Sequence, residues 1–242
     1  MNTKKIILSG LLFLGVLSAQ AQAQQQGTTE YEFNPHWYVQ IQPLGIQHTL
    51  GEIDFSDLNS YNVQAAVGYN FNKILGARLS VNAWQSKAGI DRTIKSTNGI
   101  STKFDNKWSW KYVAPSLDFT ANLSNMAFGY NPNRLFTLSA FIGIGANIRF
   151  SNDDALTVKT AYENLCYNNS VPTTDHKENM ENYWDGTKVR LAGRGGLQGD
   201  FRITDKVSVG LEVNANVVND KYNSKKAGNA DWYFNALAGV KI

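Results

Sequence analysis

Apolar and polar residues alternate in many separate stretches of this chain, and its one long apolar run stands at the very start. From Tyr61 to Phe71 the odd positions are Tyr61, Val63, Ala65, Val67, Tyr69 and Phe71, while Asn62, Gln64, Ala66, Gly68 and Asn70 lie between them. A period of two belongs to a β-strand, because successive side chains point to opposite faces. A helix would carry Asn and Gln inside its apolar stripe.

Eight such strands are predicted. The first spans Trp37 to His48, with Val39 and Ile41 on one face and Gln40 and Gln42 on the other. Leu44 and Ile46 fall on the opposite parity, which predicts a bulge near Pro43, since proline cannot donate to the ladder. The second is Tyr61 to Phe71. In the third, from Leu75 to Trp84, Leu75, Ala77, Leu79, Val81 and Ala83 share the apolar face, and Gly76, Arg78, Ser80, Asn82 and Trp84 the other. The fourth runs from about Trp108 to Leu123. There Trp108, Trp110 and Tyr112 lie on the parity opposite to Val113, Leu117 and Phe119, which predicts a second irregularity near Tyr112. The fifth, Phe136 to Phe150, alternates without interruption. The sixth is Thr187 to Arg202, the seventh Val207 to Val217 and the eighth Asp231 to Ile242.

The connections alternate too. Asn72-Lys73-Ile74 and Ile203-Thr204-Asp205-Lys206 are tight turns, whereas those after strands one, three, five and seven are polar and roughly ten to 35 residues long. Ser124 to Arg134 is longer than a tight turn and departs from this rule. Such asymmetry is that of an outer-membrane barrel with both ends periplasmic and four loops outside. The expected fold is all-β, an eight-stranded antiparallel up-and-down transmembrane β-barrel, apolar outside and polar inside. Aromatics near strand ends predict two girdles: Tyr69, Phe71, Phe136 and Phe201 below, and Tyr61, Phe150, Trp232 and Phe234 above.

The start of the chain changes the picture from a generic barrel to an exported one. Lys4 and Lys5, the short apolar core Ile6 to Leu17, and Ala19-Gln20-Ala21-Gln22-Ala23 make up a secretory signal. The expected organisation is a signal peptide over 1–23, a flexible leader over 24–36 and the barrel over 37–242. No cysteine follows the apolar core, so a lipid anchor is not indicated. Without Lys4 and Lys5 the net charge falls from +3 to +1, which gives no electrostatic case for nucleic acid. Mean hydropathy is negative. That excludes a helical membrane protein but suits a barrel, half of whose strand residues face a polar interior.

Near its end the sequence becomes familiar. Asn131-Pro132-Asn133-Arg134 enters the fifth strand, and Trp184-Asp185-Gly186-Thr187-Lys188-Val189-Arg190 opens the sixth. Tyr222-Asn223-Ser224-Lys225-Lys226 and Asp231-Trp232-Tyr233-Phe234-Asn235-Ala236-Leu237 follow. These segments resemble the transmembrane barrel of OmpA-like outer membrane proteins, over roughly Trp37 to Ile242. The resemblance implies residence in the outer membrane, in contact with its lipids and lipopolysaccharide. It also implies an envelope-supporting role, and in the family a peptidoglycan-gripping domain commonly follows the barrel. No such domain lies within this sequence. Family members that end with the barrel often close on a terminal aromatic, and Ile242 does not match, which favours a chain that continues.

An eight-stranded barrel is narrow enough for side chains to fill, so ionisable residues on the inner face must pair or bear a large desolvation cost. Arg78, Asp118, Arg194 and Glu212 all fall in the periplasmic half by strand counting. Glu212 is expected opposite Gly196 or Gln198, with Arg194 a diagonal step away. Gly68 is expected opposite Arg78, leaving room for its guanidinium. These four are the candidate site: an internal ion-pair network that plugs the lumen, a pattern that OmpA-like barrels resemble. The alternative function is a small-solute or ion channel of low conductance, and a soluble lipocalin-type barrel would need the opposite polarity.

Enzymatic chemistry finds little footing, and no cofactor is expected. His36, His48 and His176 do not share an element at metal-ligand spacing. A His–Ser pair could form only from His48 with Ser56 or Ser60. Gly193-Arg194-Gly195-Gly196 lies within an alternating strand with no helix after it, so it fails as a phosphate loop. Cys166 stands alone in the longest loop-like stretch and is either incidental or available for an intermolecular bridge. That stretch, Ser151 to Tyr183, is the natural surface for an extracellular partner.

Overall fold

The computed structural model describes residues 31–96, 99, 101–168, 180, 182–226 and 228–242. Eight strands form the wall: β1 (His36–Thr49), β2 (Asn59–Asn70), β3 (Leu75–Lys95), β4 (Ser101–Asn122), β5 (Phe136–Phe150), β6 (Lys188–Arg202), β7 (Ser208–Val218) and β8 (Asp231–Lys241). Every strand pairs antiparallel with its sequence neighbours, and β1 pairs with β8 to close the ring. Closure leaves no edge whose amides would face lipid unbonded. The signal peptide expected over 1–23 lies outside the described residues. The leader differs from expectation at its end. Phe33 packs on Tyr130 at 5.1 Å between ring centres and on His36 at 5.5 Å, and His36 already belongs to β1.

The polarity is that of a barrel turned inside out relative to a soluble one. Val67, Ile144 and Val213 are exposed on the outer wall, Ile144 by 64%, whereas Arg78 is 1% exposed and Arg194 is buried. The register against both β2 and β8 shifts by one residue between Ile41 and Ile46. This bulge at Pro43 moves the inward set from Gln40 and Gln42 to Gln47 and Thr49. Tight turns sit at one end, closed by side chains: Asn72 Oδ1 accepts from the amides of Ile74 and Leu75 at 2.9 and 2.8 Å. The longer connection there holds a short helix, α1 (Leu123–Phe128), capped by Asn122. Arg134 of the Asn-Pro-Asn-Arg segment donates to Asn125 Oδ1 at 3.0 Å and to the Gly129 carbonyl at 2.7 Å, tying that connection together.

At the opposite end the structure corrects the sequence reading. The connection expected between the third and fourth strands is instead a long hairpin. β3 and β4 run in unbroken register from Leu75↔Ala121 to Lys95↔Ser101. No irregularity occurs at Tyr112: Trp108, Trp110 and Tyr112 share the inward parity of Ala114, Ser116 and Asp118. What changes is the surrounding medium. Beyond the membrane band the outward positions Asp91, Lys103, Asp105 and Lys107 are polar, and the inward ones, Ile90, Ile94, Phe104 and Trp108, are apolar. The strand keeps its period and reverses its polarity, so a pattern matched to lipid loses it.

The stretch after β5 is not all loop. It forms α2 (Asp153–Asn168), whose Ala155, Val158, Tyr162 and Cys166 pack on Phe104, Trp108 and Trp110 in one apolar cluster. Cys166 is thus a buried packing residue, out of reach of an intermolecular bridge. His176 lies outside the described residues.

Two aromatic residues, one expected in a girdle and one inside, behave differently from expectation. Phe136 is only 2% exposed, because its ring packs on Phe201 at 4.8 Å and covers Gly199. Trp84 is 55% exposed despite its inward parity. Its level of the lumen is occupied by its register partner Tyr112, whose hydroxyl donates to Asn82 Oδ1 at 2.6 Å and accepts from Asn62 Nδ2 at 2.9 Å.

The closing seam depends on Gly239, where an added Cβ would overlap the Ile41 carbonyl and come within 2.5 Å of Gln42 Cα at the bulge. Backbone cannot retreat as a flexible side chain can. Gly239→Ala is therefore expected to cost ~1–3 kcal/mol of stability, read as a lower midpoint for loss of the compact, heat-modifiable band on unboiled gels.

Candidate functional site

Arg78 from β3, Asp118 from β4, Arg194 from β6 and Glu212 from β7 meet inside the barrel. Alternation points each inward, and the ladder sets their heights: Arg78 pairs directly with Asp118, and Gln198 with Glu212. Arg78 Nη2 lies 2.8 Å from Asp118 Oδ2 and its Nη1 lies 2.7 Å from Glu212 Oε2. Arg194 Nη2 is 3.0 Å from Glu212 Oε1, and its Nε is 3.5 Å from Asp118 Oδ1. Each cation thus touches both anions, and the four charges cancel in a ring.

Neutral polar residues complete the shell. Arg78 Nη1 also donates to Gln198 Oε1 at 3.1 Å, and Arg194 Nη1 donates to Ser116 Oγ at 2.8 Å and Ser80 Oγ at 3.1 Å. Gln64 and Asn214 donate to Glu212 at 3.2 and 2.9 Å. The ring of Phe141 lies under both guanidiniums, 4.4 Å from Arg78 Cζ and 5.1 Å from Arg194 Cζ. Cation–π attraction strengthens where water is excluded, so this apolar side chain on the inner wall serves the charges. Sequence parity put Phe141, Gln64 and Ser116 inside, but nothing in the pattern marked them as partners.

Room for the ring comes from a different glycine than expected. Gly68 does stand opposite Arg78, yet its open face is taken by the Tyr38 ring, which an added Cβ would overlap. An aromatic ring covering a cross-strand glycine satisfies the sheet better than a charged group would. Gly143 makes the space instead: it pairs with both Asp118 and Arg194, and a Cβ there would collide with the Asp118 carboxylate.

The lumen continues in layers. Toward the turns, Lys241 Nζ pairs with Asp200 Oδ2 at 2.9 Å, and Gln198 Nε2 donates to Asp200 Oδ1 at 2.7 Å. In the other direction Asn62, Asn214 and Asn235 link side chain to side chain at 2.7–2.9 Å. Aromatic rings follow. Tyr222 stacks on Tyr233 at 5.3 Å and meets Trp110 edge-on at 5.1 Å, and its hydroxyl donates to Ser86 at 3.1 Å. Arg149 lies over Trp184 at 4.7 Å and over Tyr222 at 5.5 Å. The segment Tyr222-Asn223-Ser224-Lys225 therefore folds into the barrel mouth, held by Asp231, which accepts from the Tyr222 amide at 2.9 Å and from Asn223 Nδ2 at 2.8 Å.

Above this mouth Lys225 Nζ donates to Glu52 Oε1 at 2.9 Å and to the Gly89 carbonyl at 3.0 Å, while Arg92 makes two 3.2 Å bonds to Glu52. One carboxylate so joins the first loop, the long hairpin and the last loop. Burial pushes the Glu52 carboxyl upward, but hydrogen bonds from Arg92 and Lys225 outweigh it and hold the group below its ordinary value.

The other candidate chemistry does not assemble. Ser60 Oγ donates to the Gln85 carbonyl at 2.6 Å, while His48 stacks on Phe55 at 4.0 Å with Nδ1 3.0 Å from Asn59 Oδ1. Gly193-Arg194-Gly195-Gly196 runs through the middle of β6. Among the described residues no group of three or more His, Cys, Asp or Glu could hold a metal ion.

The family model described as "Outer membrane protein beta-barrel domain" matches residues 9–176. The chain belongs to this family. It is a bacterial outer membrane protein, and the exposed apolar wall is its lipid-facing surface. Similar solved structures include Neisserial surface protein A, at 9% identity and a TM-score of 0.48, with 87% of this chain and 99% of that one covered. OprG from Pseudomonas aeruginosa aligns at 12% identity and 0.45, covering 87% and 96%. The N-terminal β-barrel domain of Pseudomonas aeruginosa OprF aligns at 8% and 0.42, covering 86% and 98%. No curated protein matches the chain.

Removing one member of the buried ring leaves its neighbours uncompensated. Arg78→Met is expected to cost ~3–5 kcal/mol in urea unfolding from lipid bilayers, and Asp118→Leu added to it should recover part of the loss. The Glu52 junction should respond to pH. Because its folded value is depressed, its contribution is full above the unfolded carboxylate value and fades as pH falls through the folded one. Amide exchange at Gly89 and Lys225 should accelerate in that acid range, and Glu52→Gln should remove the pH dependence.

Proposed function

We propose that this protein is a structural barrel of the outer membrane, OmpA-like in role. Its lumen is sealed by the Arg78–Asp118–Arg194–Glu212 ring below and the aromatic layer above, and its extracellular end is held rigid for display. The observation that carries the reading is that each guanidinium contacts both carboxylates. No one of the four can swing aside to open a path without leaving a net buried charge uncompensated, a state that costs several kcal/mol. Tyr222 and Tyr233, fully buried across the upper lumen, support the same reading. So does the packing of α2 against the hairpin, which makes Asp153–Asn168 a firm part of the Ser151 to Tyr183 stretch offered to an extracellular partner. The function needs no catalytic group, cofactor or metal.

Planar-bilayer recordings test this against the channel reading. The purified protein is expected to give no sustained current. Glu212→Ala should raise conductance and lower the melting midpoint together, because one substitution both frees Arg78 and Arg194 and removes a side chain from the bore. Large sustained currents through the unaltered protein would overturn the sealed-lumen function in favour of a channel.

A further inference from the structure

The exposure of Trp84 leaves a large ring on the outer wall at one defined height. Below it on β3 and β4 the outward residues are Val81, Ala83, Val113 and Pro115; above it they are Gln85, Lys87, Ser109 and Lys111. The apolar band therefore ends at the Ala83–Val113 pair, and Trp84 sits where hydrocarbon gives way to headgroups, the level that indole rings favour. Lys111 Nζ lies 5.3 Å from the centre of the Trp84 ring. Lys87 is the diagonal neighbour of Lys111, since Lys87 pairs with Ser109 and Gln85 with Lys111, and diagonal side chains on one face are within mutual reach.

The charge pattern singles out this pair. Farther out on the same hairpin Arg92 pairs with Glu52, Lys103 with Asp91 and Asp105 at 3.2 and 3.6 Å, and Lys107 with Asp57, while Lys95 stands at the tip, well beyond the headgroup level. Lys87 and Lys111 have no carboxylate partner among the described residues. Asp154, from the start of α2, accepts from Ser109 Oγ at 3.2 Å. Two adjacent unpaired ammonium groups repel one another unless an anion lies between them, and a lysine binds phosphate as a point charge. An aromatic face beside them offers a flat apolar surface to a sugar ring.

We propose that Trp84, Lys87 and Lys111 form a binding site for the phosphorylated sugar headgroup of an anionic glycolipid in the outer leaflet. The site faces outward at the headgroup boundary, so a lipid reaches it by lateral diffusion with its acyl chains against Val81, Val113 and Leu117. It does not depend on whether the lumen is sealed.

Native mass spectrometry of the folded protein, released from vesicles containing diphosphorylated lipid A, tests the site. The unaltered protein should retain bound lipid A. The Lys87→Gln/Lys111→Gln double variant should retain it about tenfold less, with its folded, heat-modifiable band intact. Lys103→Gln, which alters a paired cation, should retain it fully. Lipid A stripped of phosphate should bind the unaltered protein no better than diphosphorylated lipid A binds the double variant. Equal retention by the double variant would overturn the proposal. So would displacement of lipid A by inorganic phosphate alone, which would make this a free-anion site.

Discussion

Lipid supplies no hydrogen-bond partner, so every amide in the membrane-spanning wall must find its mate on a neighbouring strand. The rest of the structure follows from that demand. The ring must close, which brings β1 against β8 through the one-residue shift at Pro43 and the bare Cα of Gly239. Closure with eight strands fixes a bore so narrow that side chains occupy it. Half of every strand points into that bore, so its chemistry becomes a packing problem among polar groups. The Arg78–Asp118–Arg194–Glu212 ring is one solution: equal numbers of opposite charges, each with two partners, resting on the face of Phe141.

The barrel is best understood as two cores stacked end to end. The lower one is polar and wrapped in lipid, and the upper one is apolar and wrapped in water. β3 and β4 pass through both without a break in register, and the layer of Asn62, Asn82, Tyr112 and Asn235 lies at the changeover. Tyrosine suits this height because its hydroxyl bonds the asparagines below while its ring meets Tyr233 and the other aromatic groups above. The exposure of Trp84 and the burial of Tyr112 go together, since the two are register partners and Tyr112 occupies the lumen at that level.

Much of this was legible in the residues because the period of a strand survives even where its surroundings differ. All eight strands, their order, the bulge at Pro43 and the four inward charges follow from alternation plus the short turns at Asn72 and Thr204. The misplaced hairpin has one physical source. A pattern matched to lipid leaves Ile90, Ile94 and Phe104 in the connection and makes Trp108 look like part of an irregularity, because their sense is reversed. α2 is hard to read for a different reason: its apolar residues are few, and its stability comes from docking on the hairpin. The ring's neutral partners were illegible for another cause. Ser116, Gln64 and Phe141 belong to three different strands, and only the closed ring decides which side chains share a level.

The long hairpin has a consequence for how such a protein can change under pressure from antibodies or phage. Its inward side chains are committed to the upper core, and Trp110 and Trp184 are coupled through it to the mouth of the lumen. Its outward side chains beyond the headgroup level, among them Asp91, Thr93 and Asp105, touch water and hold up nothing beneath them. Change can therefore be confined to every second residue of a rigid ribbon, altering the face turned to the surroundings while the scaffold that presents it stays the same.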